Sequence, residues 1–184
     1  ASRELPGAQV STVFFGGGTP TLIGSAALNS ILESIGDNFV ITADAEITTE
    51  ANPDSVDRRM LTELKNGGFT RMSFGMQSVA SHVLAVLQRT HNGGASQGAA
   101  RLARDVGFEH VNLDLIYGTP GETDADVRAS VQAVLDSGVD HVSAYSLIVE
   151  EGTPLARQVS KGELPAPDDD VCAERYELID SMLV

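Results

Sequence analysis

The residues of this sequence best placed to do chemistry are three glycines in a row, two carboxylates, a glutamine and an arginine. Gly16-Gly17-Gly18-Thr19-Pro20 follows the β-branched, aromatic run Val10–Phe15. One glycine suffices for a tight turn. Three bare the backbone so that a ligand can approach its N–H and C=O groups. Glu50 closes the next β-rich run, just before Asn52-Pro53, where it could also be a plain helix-end carboxylate. Gln77 ends Phe74-Gly75-Met76-Gln77, and Tyr145 lies in a later β-like run. Asp114 is flanked by Leu113, Leu115 and Ile116. A carboxylate buried among such residues needs a partner or a task. Arg89 follows Val83, Leu84, Val86 and Leu87, where a solvated arginine at a helix end is the plain alternative. Glu50 and Asp114 together would also serve as an acid/base pair.

The histidines and the lone cysteine carry less. His82, His91, His110 and His141 show no metal-ligand spacing. His110 and His141 each stand just before a strand, on the face of a β/α fold that governs stability, and read as structural. His91, beside Arg89-Thr90, is a candidate to face the site. Cys172 follows Asp168-Asp169-Asp170. That acidic surrounding raises a thiol pKa, and one cysteine holds neither an internal disulfide nor a metal cluster alone.

These residues need elements to hold them. Strands are predicted at Val10–Phe15, Phe39–Thr49 (with a turn or bulge near Asp44), Arg71–Gly75, Val111–Tyr117 and Val142–Leu147. Helices are predicted at Ser25–Ile35, stopped by Gly36, and from Asn52-Pro53-Asp54 with Asn52 as cap and Val56, Met60, Leu61 and Leu64 inward. Further helices are read at Val79–Leu87, Ser96–Val106 and Thr123–Leu135, the last opened by a Thr123…Asp126 capping box. Leu155–Val159 and a segment from Asp168 complete the set. Three helix exits repeat one pattern, Gly68-Phe69, Gly107-Phe108 and Gly138-Val139, each followed by a strand. The glycine supplies a left-handed stop and the apolar residue packs as the chain turns. Alternation of strands and helices at about 30 residues indicates parallel β/α units, an open sheet or part of a barrel, with chemistry at the strand C-termini.

The composition bounds the partners. The 184 residues carry 12 Lys and Arg against 26 Asp and Glu, a net charge of −14. Such a surface repels phosphate backbones and anionic lipid, so no nucleic acid and no membrane insertion are expected. No apolar run suits a membrane span, no signal-peptide core opens the sequence, and a cytoplasmic home is expected.

Phe14-Phe15-Gly16-Gly17-Gly18-Thr19-Pro20-Thr21-Leu22, Glu50-Ala51-Asn52-Pro53, Phe74-Gly75-Met76-Gln77-Ser78, Leu87-Gln88-Arg89 and Asn112-Leu113-Asp114-Leu115-Ile116-Tyr117-Gly118-Thr119-Pro120-Gly121-Glu122-Thr123 occur in order. Together they resemble the radical S-adenosylmethionine family of oxygen-independent coproporphyrinogen III oxidase. Gly118-Thr119-Pro120-Gly121-Glu122 with Tyr145-Ser146-Leu147 looks more like its haem-chaperone branch. The resemblance implies a partial (β/α) barrel of TIM-barrel-like type. Residues 1–165 would be its strands two to six, and residues 166–184 a helix leading towards a C-terminal domain. It implies S-adenosyl-L-methionine and a 4Fe-4S cluster in the parent protein, with haem or a porphyrinogen as ligand. Gly17, Gly18 and Thr19 would line the methionine end and Glu50 would take the ammonium. Gln77 and Arg89 would engage ribose hydroxyls and carboxylate, and Asp114 sugar or amine groups.

In the family a Cys-x3-Cys-x2-Cys loop precedes the Gly-Gly-Gly-Thr-Pro motif. Its absence here implies a piece of a longer protein that alone binds no cofactor, does no radical chemistry and exposes a sheet edge prone to self-association. For the parent, three readings stand in order: a haem chaperone, the oxidase that decarboxylates propionates through a 5′-deoxyadenosyl radical, and an unrelated β/α acid–base enzyme.

Overall fold

The computed structural model describes residues 8–89 and 94–184, so His91 lies outside the described residues. Five strands are β1 (Gln9–Phe15), β2 (Val40–Ala51), β3 (Arg71–Gln77), β4 (His110–Tyr117) and β5 (His141–Ser146). Among the described residues seven α-helices accompany them: α1 (Ser25–Asn38), α2 (Arg58–Asn66), α3 (Ser81–Val86), α4 (Ala95–Val106), α5 (Asp124–Ser137), α6 (Pro154–Ser160) and α7 (Asp169–Leu183). All four strand pairings are parallel, in the order β1-β2-β3-β4-β5. Right-handed crossovers that always step the same way put their helices on one face of the sheet. The sheet is therefore a curled half-barrel, with helices outside and a lumen within.

Alternation along the strands divides the two faces. Met72, Phe74, Met76, Val111, Leu113 and Leu115 point outward into the helix layer, where Leu61, Leu64, Ala100, Ala103, Val131 and Val134 meet them. From residue 172 to 182, α7 closes this layer, with Ile179 buried against α5 and β4. The residues between the outward ones, Ser73, Gly75, Asn112, Asp114, Ser143 and Tyr145, face the lumen.

The repeated helix exits are Schellman turns. Gly68 and Gly107 both take φ +102°, while Phe69 N–H donates to Leu64 O (3.2 Å) and Phe108 N–H to Ala103 O (3.1 Å). Both phenylalanines are buried, and the Phe69 ring lies 5.1 Å from that of Phe15. Gly138 makes the third left-handed stop, at φ +71°. The capping box on α5 is present, Thr123 and Asp126 each bonding the other's backbone N–H.

Three local expectations need correction. Gly36 does not stop α1, which runs on to Asn38 and ends where Phe39 becomes extended. Asn52-Pro53-Asp54 opens only a short 3₁₀ turn. The cap of α2 is Asp57, whose Oδ1 accepts from Met60 N–H at 2.7 Å. The irregularity near Asp44 is larger than a single-residue bulge: Val10 pairs with Ile41 but Thr12 with Glu46, so the intervening β2 residues loop out of register.

Candidate functional site

A cavity of about 260 Å³ opens at the C-terminal ends of the strands. Gly18, Thr19, Glu50, Gln77, Arg89 and Asp114 line it, with Ser73, Ile116 and Tyr145. Six of the seven site residues predicted from sequence thus share one space. The seventh, Gly17, borders an adjacent apolar groove, and its N–H donates to Glu50 Oε2 at 3.2 Å. Gly17 and Gly18 have φ +91° and +61°, and added Cβ atoms there would meet nothing. Their glycines answer to backbone conformation.

Gln77 is placed by a break in the sheet. Gly75 pairs with Asp114 but Gln77 with Leu115, and Gln77 takes φ +61°. A side chain at Gly75 would collide with Gln77 Nε2, so Gly75 makes room for the glutamine to fold back over the strand. Gln77 Oε1 is buried with no hydrogen-bond partner among the described residues. An unused buried acceptor at a strained backbone position is a place where a ligand donor is called for.

Arg89 is aimed by the end of α3. Gln88 takes the left-handed position, φ +53°, while Arg89 N–H donates to Leu84 O (2.9 Å) and Gln88 N–H to Ala85 O (3.1 Å). This is the same turn that ends α2 and α4, built on a non-glycine residue at some cost in strain.

Asp114 has the densest surroundings. Asn112 Nδ2 donates to its Oδ1 at 2.6 Å, and Ser73 Oγ donates to Oδ1 and Oδ2 at 3.3 and 3.2 Å. Burial pushes the carboxyl pKa up; hydrogen bonds from Asn112, Ser73 and Ser143 and the charge of Arg71 oppose that. Asn112 and Ser73 were missed as site residues. The signal was available in part: a polar residue two before Asp114 must share its face, and Ser73, on the preceding strand, pairs with that residue.

The histidines divide. His110 Nδ1 lies 2.6 Å from Asp140 Oδ2 at the far end of β4, and His82 Nε2 lies 3.3 Å from Asp126. His141 Nδ1 sits 2.5 Å from Asn112 Oδ1, at the base of the lumen network. Burial raises the Cys172 thiol pKa, with Asp169 and Asp168 adding to it. Cys172 is not among the cavity-lining residues; its Sγ packs on Gly118.

The cavity therefore offers two carboxylates and one guanidinium, an unused amide oxygen and a bare backbone loop. That donor set suits a ligand with an amino-acid head, a hydroxylated ring and one extra positive charge, since opposite charges interact strongly where water is displaced. It does not suit an iron–sulfur cluster. Among the described residues no group of three or more His, Cys, Asp or Glu could hold a metal ion.

The family model of the radical SAM superfamily matches residues 2–134, and the chain belongs to that superfamily. Membership sets aside the reading of an unrelated acid–base enzyme. Within it, the chain is 54% identical over 183 residues to heme chaperone HemW of Mycobacterium tuberculosis, covering 100% of the chain and 47% of that protein. It is 35% identical to heme chaperone HemW of Bacillus subtilis, covering 95% of the chain and 46% of the relative. Among solved structures it is similar to coproporphyrinogen III oxidase (HemN) from Escherichia coli, TM-score 0.83 at 27% identity, over 98% of this chain and 42% of that one. The chain spans about half the length of the curated relatives it matches. The superfamily implies S-adenosylmethionine and a 4Fe-4S cluster in the whole protein. No helix among the described residues is long and apolar enough to cross a membrane.

Proposed function

We propose that this chain forms the S-adenosylmethionine cradle of a haem chaperone. The observation that carries the reading is the 54% identity, over the full length of the chain, to a protein named heme chaperone HemW. The cavity supports the cofactor half of it. Glu50 would take the ammonium and Arg89 the carboxylate of the methionine head, the latter as a two-pronged ion pair. Gln77 Oε1 would accept from a ribose hydroxyl, which supplies the donor it lacks. Asp114 would accept from sugar or amine groups, and the Gly17-Gly18-Thr19 backbone would run along the methionine end. Bound there, S-adenosylmethionine brings a sulfonium cation, which two carboxylates and one guanidinium leave room for electrostatically. The one cysteine of the 184 residues, Cys172, stands elsewhere, so no step through a cluster is assigned to these residues. A cytoplasmic location belongs to the same proposal, a single cysteine offering no internal disulfide to an oxidising compartment.

The second reading is an oxygen-independent coproporphyrinogen oxidase, favoured by the structural likeness to HemN. The intact protein decides between them. Stoichiometric haem binding without porphyrinogen turnover is the expected result, and turnover overturns the chaperone. For the cradle, Glu50→Gln and Arg89→Ala each lower S-adenosylmethionine affinity about tenfold to a hundredfold, the worth of one hydrogen bond to a charged group; unchanged affinity in both removes the cradle assignment.

A further inference from the structure

The geometry assigns to Asn112 a positioning role: its side-chain amide orients the Asp114 carboxylate for a cationic ligand and favours its ionised form, and Ser73, His141 and Ser143 satisfy the rest of that amide. The ligand half of this inference rests on the cradle reading above.

Asn112 is 1% exposed, on β4 two residues before Asp114. Its Nδ2 spends both hydrogens, one on Asp114 Oδ1 at 2.6 Å and one on Ser73 Oγ at 2.8 Å. Its Oδ1 must then accept: Ser143 Oγ stands 3.3 Å away, and His141 Nδ1, a donor in its Nδ1–H tautomer, 2.5 Å away, with Arg71 Nη2 3.3 Å from that nitrogen. A flipped amide would set its oxygen against the Asp114 carboxylate, acceptor against acceptor. The Asp114 carboxylate, an acceptor only, thus sets the amide orientation, and the Ser73 and Ser143 hydroxyls and the His141 ring fit themselves to it. The amide holds the carboxylate at Oδ1, Ser73 Oγ reaches Oδ2 at 3.2 Å, Ser143 also bonds the carboxyl group, and Asp114 lines the cavity. Burial disfavours the ionised form, and the shortest contact opposing it is the one from Asn112.

The charged and titratable groups around Asp114 are few. Arg71 approaches from β3 and His141 from β5, while Glu50, Arg89 and Tyr145 face it across the cavity. None of them donates directly to the carboxylate, so no cation takes over if the amide is lost.

The test titrates Asp114 itself, by carboxyl ¹³C NMR on the intact protein without ligand. In Asn112→Leu the Asp114 midpoint rises by about one pH unit or more, the worth of a hydrogen bond to a charged group. Ser73→Ala, a smaller change at longer distance, moves it the same way by less and decides the matter if the leucine variant fails to fold. Midpoints that stay put in the folded variants overturn the inference. S-adenosylmethionine binding, followed by calorimetry across pH, gives the second readout. The acid limb of affinity moves up in step with the titration in Asn112→Leu. In an Asp114→Asn background, the leucine substitution moves no limb, whereas a merely structural asparagine would still cost affinity there. If the unaltered protein binds no S-adenosylmethionine, the cradle reading fails, and the ligand-free titration still judges Asn112 on its own.

Discussion

Arg175→Met separates packing from charge at a buried ion pair that ties α7 to the turn after β4. The Arg175 and Glu122 side chains are 8% and 2% exposed, and Nη1 lies 3.1 Å from Glu122 Oε2. Arg175 Nη2 also donates to the Glu122 carbonyl, and Gly118 N–H donates to the same Oε2 at 2.8 Å. Methionine keeps the apolar stem of the arginine but leaves the carboxylate with only the backbone N–H donors of Gly118 and Thr119. Breaking a buried pair from one side costs about 3–5 kcal/mol. For a chain of this size that is a fall in melting temperature of about 6–20 °C. The sign of the pH dependence follows from Glu122. Burial already raises its pKa, while Gly118 N–H and Arg175 pull it down; without Arg175 it rises further. A folded state that holds a proton more tightly than the unfolded one loses stability as pH climbs from the unfolded value, about 4.3, through the raised folded value. The deficit is therefore smaller at pH 5 than at pH 8, measured by urea unfolding, and Glu122→Gln in the Arg175→Met background recovers part of it. A loss below about 1 kcal/mol, the scale of an exposed pair, or a deficit equal at both pH values and untouched by the second substitution, refutes the reasoning.

Three further outcomes follow from neighbouring features. Gly118→Ala forces a side chain to φ +82° and drives its Cβ into Cys172 Sγ, and costs about 2–4 kcal/mol by denaturation; Cys172→Ala beside it relieves only the steric share. Cys172, its thiol pKa raised by burial, reacts with iodoacetamide slowly at pH 7 in the folded protein and fast once urea unfolds it, as read by mass spectrometry. Phe69→Ala removes a fully buried ring that closes the α2 exit against Phe15 and costs about 3–5 kcal/mol by the same unfolding assay.

What the sequence revealed, and what it hid, divides by range. The Gly68-Phe69 and Gly107-Phe108 exits were legible because a Schellman turn is a local device: glycine for the left-handed residue, phenylalanine for the contact that follows. The Thr123…Asp126 box is local in the same way. The α2 start was misplaced because Asn52-Pro53 satisfies the same local rules as Asp57, and only the packing of Leu61 and Leu64 sets the helix phase. Arg175 was not legible at all. Its partner lies 53 residues away, and no periodicity marks a charged residue on the buried side of α7. Glu50, Gln77 and Asp114 stood out by strand-end position and Arg89 by the Leu87-Gln88-Arg89 motif, and all four line one cavity, yet Asn112 and Ser73 were passed over because each looked like an ordinary polar strand residue.

The oversight has a physical root in what a barrel strand must satisfy. On β4, Val111, Leu113 and Leu115 answer to the helices outside, and Asn112, Asp114 and Ile116 answer to the lumen. The two demands are interleaved residue by residue, so a strand that serves both reads as mixed rather than as two patterns. On β3 the interleaving breaks once. After Gly75 the chain slips register against β4, and Gln77 takes a positive φ, which frees its side chain from the alternation. The slip is costly in backbone conformation and leaves Gln77 Oε1 buried without a donor. A fold that gave up the register there for packing alone would have filled the amide's hydrogen bonds. The deviation falls at the cavity itself, where it sets the unpartnered Gln77 side chain beside Glu50 and Asp114 in the lining.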